Sequence, residues 1–126
     1  MELAPGKKIY FLSDFHLGAP NELESRKRED KLVHFFNECK KDAAAFFIVG
    51  DIFDFWFEYK TVVPKGFVRL LGKLAELVDS GIAIHLFVGN HDLWMKDYLE
   101  KEVGVTIHHR NIIIEEDDKK LFIGHG

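Results

Sequence analysis

The chain has 126 residues, 47% of them hydrophobic and 30% charged, which is the make-up of one folded globular domain and excludes a disordered tail. Seventeen basic against twenty-one acidic side chains give a formal charge of −4, and that balance argues against an electrostatic nucleic-acid binder. A single cysteine, Cys39, excludes an internal disulfide framework and fits a reducing compartment.

Along the chain, Ile9–Leu12 is the first of four short apolar runs; the others are Phe46–Val49, Ile82–Val88 and Leu121–Ile123. Runs of this length without alternation read as strands buried on both faces of a parallel sheet. The first helix is announced by Asn21 with Glu24 three residues on, a capping-box pair, and by the stripe Leu32, Phe35, Phe36, Cys39 at i, i+3, i+4, i+7. A second helix is expected from near Pro64, with Phe67, Leu70, Leu71 and Leu74 inward and Gly81 as its stop. A third is expected from about Leu93 to Glu102, closed by Gly104. Ile112–Ile114 and Leu121–Ile123 flank Glu115–Lys120, a hairpin with a charged tip. Nothing marks a linker, so residues 1–126 read as a single α/β domain of order β-α-β-α-β-α followed by strands. Residues 1–8 show no signal-peptide core, and no apolar run approaches the roughly eighteen residues of a membrane span. A cytoplasmic location is therefore expected.

Each apolar run ends on a small or polar residue followed by potential metal ligands: Ser13-Asp14-Phe15-His16, Gly50-Asp51, Gly89-Asn90-His91-Asp92 and Gly124-His125-Gly126. Ligands of open parallel sheets bind beyond the carboxyl ends of the strands. Were the four strands neighbours, Asp14, His16, Asp51, Asn90, His91 and His125 would meet on one rim. Asp14 and His16 are two apart, so on extended backbone they point the same way and can share an ion. A carboxylate such as Asp51 can bridge two ions. The mixture of carboxylate, imidazole and amide suits Mn²⁺, Fe or Zn²⁺ better than Ca²⁺ or Mg²⁺, and a pair of such ions is the clamp used in phosphoester hydrolysis.

The series D-x-H, G-D-x-x-D, G-N-H-D and G-H, in this order and each after a strand, resembles the calcineurin-like metallophosphoesterase superfamily. Within it, Ser13-Asp-Phe-His-Leu-Gly, Gly50-Asp-Ile-Phe-Asp-Phe-Trp and Gly89-Asn-His-Asp-Leu-Trp are most similar to the UDP-2,3-diacylglucosamine hydrolases of lipid A synthesis. The resemblance implies a layered α/β sandwich, of which this chain carries the amino-terminal β-α-β-α-β-α half and the start of the second sheet. It implies a first ion held by Asp14, His16 and Asp51 and a second by Asp51, Asn90 and His125, with Mn²⁺ as the metal. His91 would contact the attacked phosphate as general acid or electrostatic stabiliser, and Asp54 would orient it, with Asp92 as the competing partner. The implied reaction is hydrolysis of the pyrophosphate of UDP-2,3-diacylglucosamine to UMP and 2,3-diacylglucosamine 1-phosphate. The setting would be the cytoplasmic, peripheral face of the inner membrane of a Gram-negative bacterium. The resemblance thus implies a nucleotide-linked glycolipid as substrate and no nucleic-acid partner.

Two features depart from that pattern. Many enterobacterial-type hydrolases carry Arg where His91 stands, which leaves another phosphodiesterase or phosphatase activity as the alternative. The superfamily's later G-H-x-H motif is not reached by Gly126, so the chain reads as part of a larger enzyme, weakly active or inactive alone, whose uncovered edges could drive self-association.

The remaining polar and aromatic residues have simpler expected uses. His85 and His34 read as satisfied core histidines and His108 and His109 as a surface turn. Arg26-Lys27-Arg28 reads as a solvated basic face that could dock a membrane, and Glu115–Asp118 as a solvated tip. Cys39 reads as a small apolar residue. The dense cluster Phe53, Phe55, Trp56, Phe57 and Tyr59 reads chiefly as packing, with a substrate cleft as the other use.

Overall fold

The computed structural model describes residues 3–89, 92, 95–116 and 119–124. Nine elements follow one another: β1 (Lys8–Leu12), α1 (Glu22–Cys39), β2 (Ala43–Val49), α2 (Val68–Asp79), β3 (Ala83–Phe87), α3 (Tyr98–Glu102), β4 (Thr106–His108), β5 (Ile112–Glu116) and β6 (Lys119–Ile123). The first four strands form one parallel sheet in the order β1-β2-β3-β4. β5 and β6 pair antiparallel as a separate two-stranded sheet. The alternating strand-helix pattern and parallel sheet are those expected from the sequence. The run Leu121–Ile123, however, does not pair with any of the other three apolar runs. It pairs with Ile112–Ile114 in the hairpin, and the fourth place in the parallel sheet goes to the three residues of β4, too short to show a periodicity.

Alternation along β2 explains the layering. Phe46 and Ile48 face the helices, in a core with Phe36, Leu70, Leu74 and Leu77. Ala45 and Phe47 face the other way, toward Phe87 and Ile123, with Ile112, Ile114 and Leu121 of the hairpin packed on them. A central strand with both faces covered has no polar position to spare, hence its run of Ala, Phe, Ile and Val. Among the described residues, no helix is long and apolar enough to cross a membrane.

The helix starts show where local signals suffice. Asn21 caps α1 as expected, its side chain accepting from the Glu24 amide at 2.9 Å. α2 begins at Val68 rather than near Pro64, because Gly66 and Phe67 both take positive φ and hold the chain out of the helix. The carboxylate of Glu29 on α1, 4% exposed, then accepts from the Leu70 amide at 3.0 Å, so the first turn of α2 is capped from another helix. α3 is shorter than expected and starts at Tyr98. The amides of Lys96 and Tyr98 are taken by Glu58 (2.9 and 3.1 Å), and Leu93 and Trp94 lie outside the described residues. Gly81 and Gly104 close α2 and α3 in the left-handed conformation.

Candidate metal centre

Beyond the carboxyl ends of β1 and β2 the two chains remain zipped together. The amide of Asp14 donates to the Gly50 carbonyl (3.2 Å), His16 to Asp51 (3.0 Å), Leu17 to Ile52 (2.9 Å), and Asp54 back to Leu17 (2.9 Å). Leu17 and Phe53 form a parallel bridge, and both are fully buried. Asp14, His16 and Asp51 therefore stand on an extension of the sheet. All three adopt left-handed backbone, with φ of 61°, 46° and 53°. Side chains other than Gly, Asn and Asp seldom take such angles, and when they do a functional constraint is the usual reason.

This conformation corrects one expectation. Asp14 and His16 do not share an ion by alternation on extended backbone, since neither is extended. The turn at each residue brings them together instead. His16 Nε2 lies 3.6 Å from an Asp14 carboxylate oxygen and 3.9 Å from one of Asp51. One ligand atom from each of Asp14, His16 and Asp51 falls within 4.8 Å of the others. Two carboxylates and an imidazole nitrogen so arranged are a donor set that a divalent transition ion fits. Asp51 is only 4% exposed, and a buried carboxylate beside a second one needs a compensating positive charge.

The ring's other nitrogen, Nδ1, lies 3.6 Å from an Asp54 oxygen. Asp54 thus stands against His16, a neighbour the sequence reading did not assign to it; its expected partner His91 lies outside the described residues. So do Asn90 and His125, the remaining expected ligands. Asp92 is fully buried and accepts from the amides of Ile52 (2.9 Å), Phe53 (3.4 Å) and Gly89 (2.6 Å). Burial pushes its carboxyl above the ordinary range, the three amides oppose that, and the Asp51 charge adds to it. Its role is to tie the loop after β3 to the loop after β2. Gly89 makes that approach possible: a Cβ there would overlap the Asp51 carboxylate and amide.

Several residues that support this rim were invisible as such in the sequence. Arg28 is half-buried and points inward, donating to the carbonyls of His16 (2.8 Å) and Ala19, so the reading of residues 26–28 as one solvated face is wrong at its last member. Ser25, 5% exposed, accepts from the Gly18 amide at 2.7 Å. Glu58, buried, also takes the Trp56 indole N–H at 2.9 Å. Helical spacing gave one available signal: residues 25, 28 and 29 continue the inward stripe of Leu32, Phe36 and Cys39 back by one and two turns.

The other histidines divide. His85 is held by a ring-to-ring hydrogen bond to His108 at 2.9 Å and stacks on Phe47 at 4.5 Å, as expected of a satisfied core residue. His108 is part of β4 and not of a surface turn. Burial first, and mutual proximity second, keep the His85 imidazole below its ordinary pKa. Burial also lowers that of His108, against the pull of Glu100. His34 is exposed and faces Glu38 at 3.9 Å, so it is no core residue. The aromatic cluster splits: Phe53 and Trp56 stack in the core at 4.4 Å, whereas Phe55, Phe57 and Tyr59 are exposed.

A family model described as calcineurin-like phosphoesterase matches residues 7–125. The chain is 46% identical over 119 residues to a UDP-2,3-diacylglucosamine hydrolase of Porphyromonas gingivalis, covering 94% of this chain and 45% of that relative. It is 30% identical over 124 residues to the protein of the same name from Haemophilus influenzae (95% and 48% covered), and 27% identical over 116 residues to that of Vibrio vulnificus (92% and 46%). The chain spans about half the length of the curated relatives it matches. With the rim geometry and a match over almost its whole length, the chain belongs to the calcineurin-like phosphoesterase family.

Proposed function

We propose that this chain carries metal-binding machinery of a phosphoester hydrolase acting on the pyrophosphate of UDP-2,3-diacylglucosamine, with UMP and 2,3-diacylglucosamine 1-phosphate as products. The observation that carries the reading is the cluster of Asp14, His16 and Asp51, three ligand groups within 4.8 Å on left-handed backbone. The relatives' names supply the substrate. Asp14, His16 and Asp51 would hold one divalent ion, and Asp51, Asn90 and His125 a second, Mn²⁺ at both. Such ions would supply an activated water and charge neutralisation for the phosphate oxygens. The protein's own part is positional. Asp54, 3.6 Å from His16 Nδ1, would orient the ring and leave Nε2 for the ion, and its expected action on His91 is part of the same proposal. His91 donates to the attacked phosphate.

A cytoplasmic site of action on the inner membrane of a Gram-negative bacterium belongs to the same reading. Its support is the exposed Phe55, Tyr59, Val62 and Val68, with Lys60, Lys65 and Arg69 interspersed, a mixture suited to an anionic lipid surface. Self-association would draw on the exposed Phe11, Ile113 and Phe122.

Titration calorimetry with Mn²⁺ tests the centre. Two ions bound by the chain and lost in Asp51→Ala are the expected result; wild-type stoichiometry in that variant would refute the bridge. His91, where many of the resembled enzymes carry Arg, favours a second reading as a phosphodiesterase of other substrates. Faster turnover of an aryl phosphodiester than of UDP-2,3-diacylglucosamine would select it.

A further inference from the structure

We propose that Arg28 is a positioning residue of the metal centre, acting as a clamp that sets the backbone of His16. The inference rests on the metal reading given above. The peptide plane that follows His16 is pinned at both edges: its carbonyl accepts from Arg28 at 2.8 Å and, at the longer distance of 3.2 Å, from the Ala19 amide, and its N–H, that of Leu17, donates to Ile52 at 2.9 Å. The orientation of that plane fixes the backbone angle on which the imidazole stands, at a residue already held at φ 46°. The same guanidinium nitrogen also reaches the Ala19 carbonyl, and Ser25, one turn earlier on α1, holds the intervening Gly18 amide. One helix face thus secures the far end of the loop while the β2 loop secures the near end.

The arrangement is not simply a solvated cation finding the nearest acceptors. Among the described residues, Arg28 Nε is buried without a hydrogen-bond partner, so the inward placement of the guanidinium carries a desolvation cost. A lysine could also offer two donors from one nitrogen, but as a point charge on a flexible stem it would hold the two carbonyls less firmly than a guanidinium packed inward as a plane. Groups that orient a ligand from behind commonly alter metal affinity by tenfold or more when removed.

The test uses Mn²⁺ titration of the 126-residue chain together with amide hydrogen exchange of the metal-free chain, for wild type, Arg28→Met, Arg28→Lys and Phe36→Leu. Phe36 lies in the helix-side core, so Phe36→Leu lowers stability without touching the loop. Arg28→Met is expected to weaken Mn²⁺ binding by about tenfold and to speed exchange at Leu17 and Gly18 by at least as much. Arg28→Lys should fall between, and Phe36→Leu should leave affinity and loop exchange at the wild-type level. Unchanged affinity in Arg28→Met, or loop exchange no faster than in Phe36→Leu, would overturn the clamp. A wild-type chain that takes up no Mn²⁺ would overturn the metal reading instead, and exchange at Leu17 and Gly18 would then decide for or against the clamp by itself.

Discussion

The carboxylate at position 51 combines three constraints. It is buried, it sits on left-handed backbone, and its charge raises the pKa of buried Asp92. Asp51→Gly is therefore expected to stabilise the metal-free chain by about 1 kcal/mol, since glycine takes positive φ without steric strain and relieves the like-charge contact with Asp92, its greater unfolded-chain entropy being the opposing effect. The same variant should bind no Mn²⁺. A thermal melt in chelator beside a calorimetric titration checks both halves; a lower melting temperature would show that Asp51 is not strained. Gly89→Ala should act in the opposite sense. The added methyl group must displace the Asp51 carboxylate, so a loss of roughly 1–3 kcal/mol is expected from overpacking, together with weaker metal binding. Much of this was legible beforehand as residue identity: the ligand types, their order and the glycines beside them stand in the sequence. The backbone angles were not, because a spacing of two residues says nothing about φ, and the extended backbone that alternation requires at Asp14 and His16 is not the one the fold uses.

At the scale of elements, the strong local signals held and the borrowed ones did not. Asn21 and Glu24 mark the start of α1 because the cap is made within four residues. The start of α2 is not legible in the sequence because its cap, Glu29, comes from 41 residues away, and no periodicity reports a partner at that distance. The inward turn of Arg28 was missed for a related reason: a run of three basic residues hides which one faces the core. Glu58 joins three donors from two segments, the Trp56 indole and the amides of Lys96 and Tyr98. Glu58→Ala strands them, and the expected cost is about 1–3 kcal/mol per unsatisfied buried group, partly offset by water. Denaturant unfolding should show the loss, and faster exchange of the Lys96 and Tyr98 amides should localise it.

For the whole molecule, the parallel sheet is covered by helices on one face and by the hairpin on the other. The half-buried pair His85 and His108 belongs to the inner part of that structure. Both imidazoles are depressed by burial, so the folded state favours them neutral. Their contribution to stability is complete above the ordinary histidine pKa of about 6.5 and is lost as the pH falls through the folded values. The melting temperature should therefore be flat from neutral to mildly alkaline pH and decline below about pH 6.5, before most carboxylates titrate. His85→Phe, which retains an aromatic surface against Phe47, should flatten that decline; an unchanged slope would assign it to other groups.

The zipper of backbone hydrogen bonds between residues 14–17 and 50–54 has a consequence for how this chain can vary. Surface connections ordinarily absorb insertions, because an extra residue bulges outward and leaves the flanking elements in place. Here the connection is itself measured against a neighbouring strand, one peptide for one peptide, and it carries Asp14 and His16, two members of the candidate metal cluster. One residue added or removed between Leu12 and Leu17 would slide His16 off the Asp51 carbonyl and turn its ring from the opposing carboxylates. The segment behaves as a ruler with fixed graduations, and natural variation in length should be confined to places such as the turn after Glu58, where no donor set is being counted out.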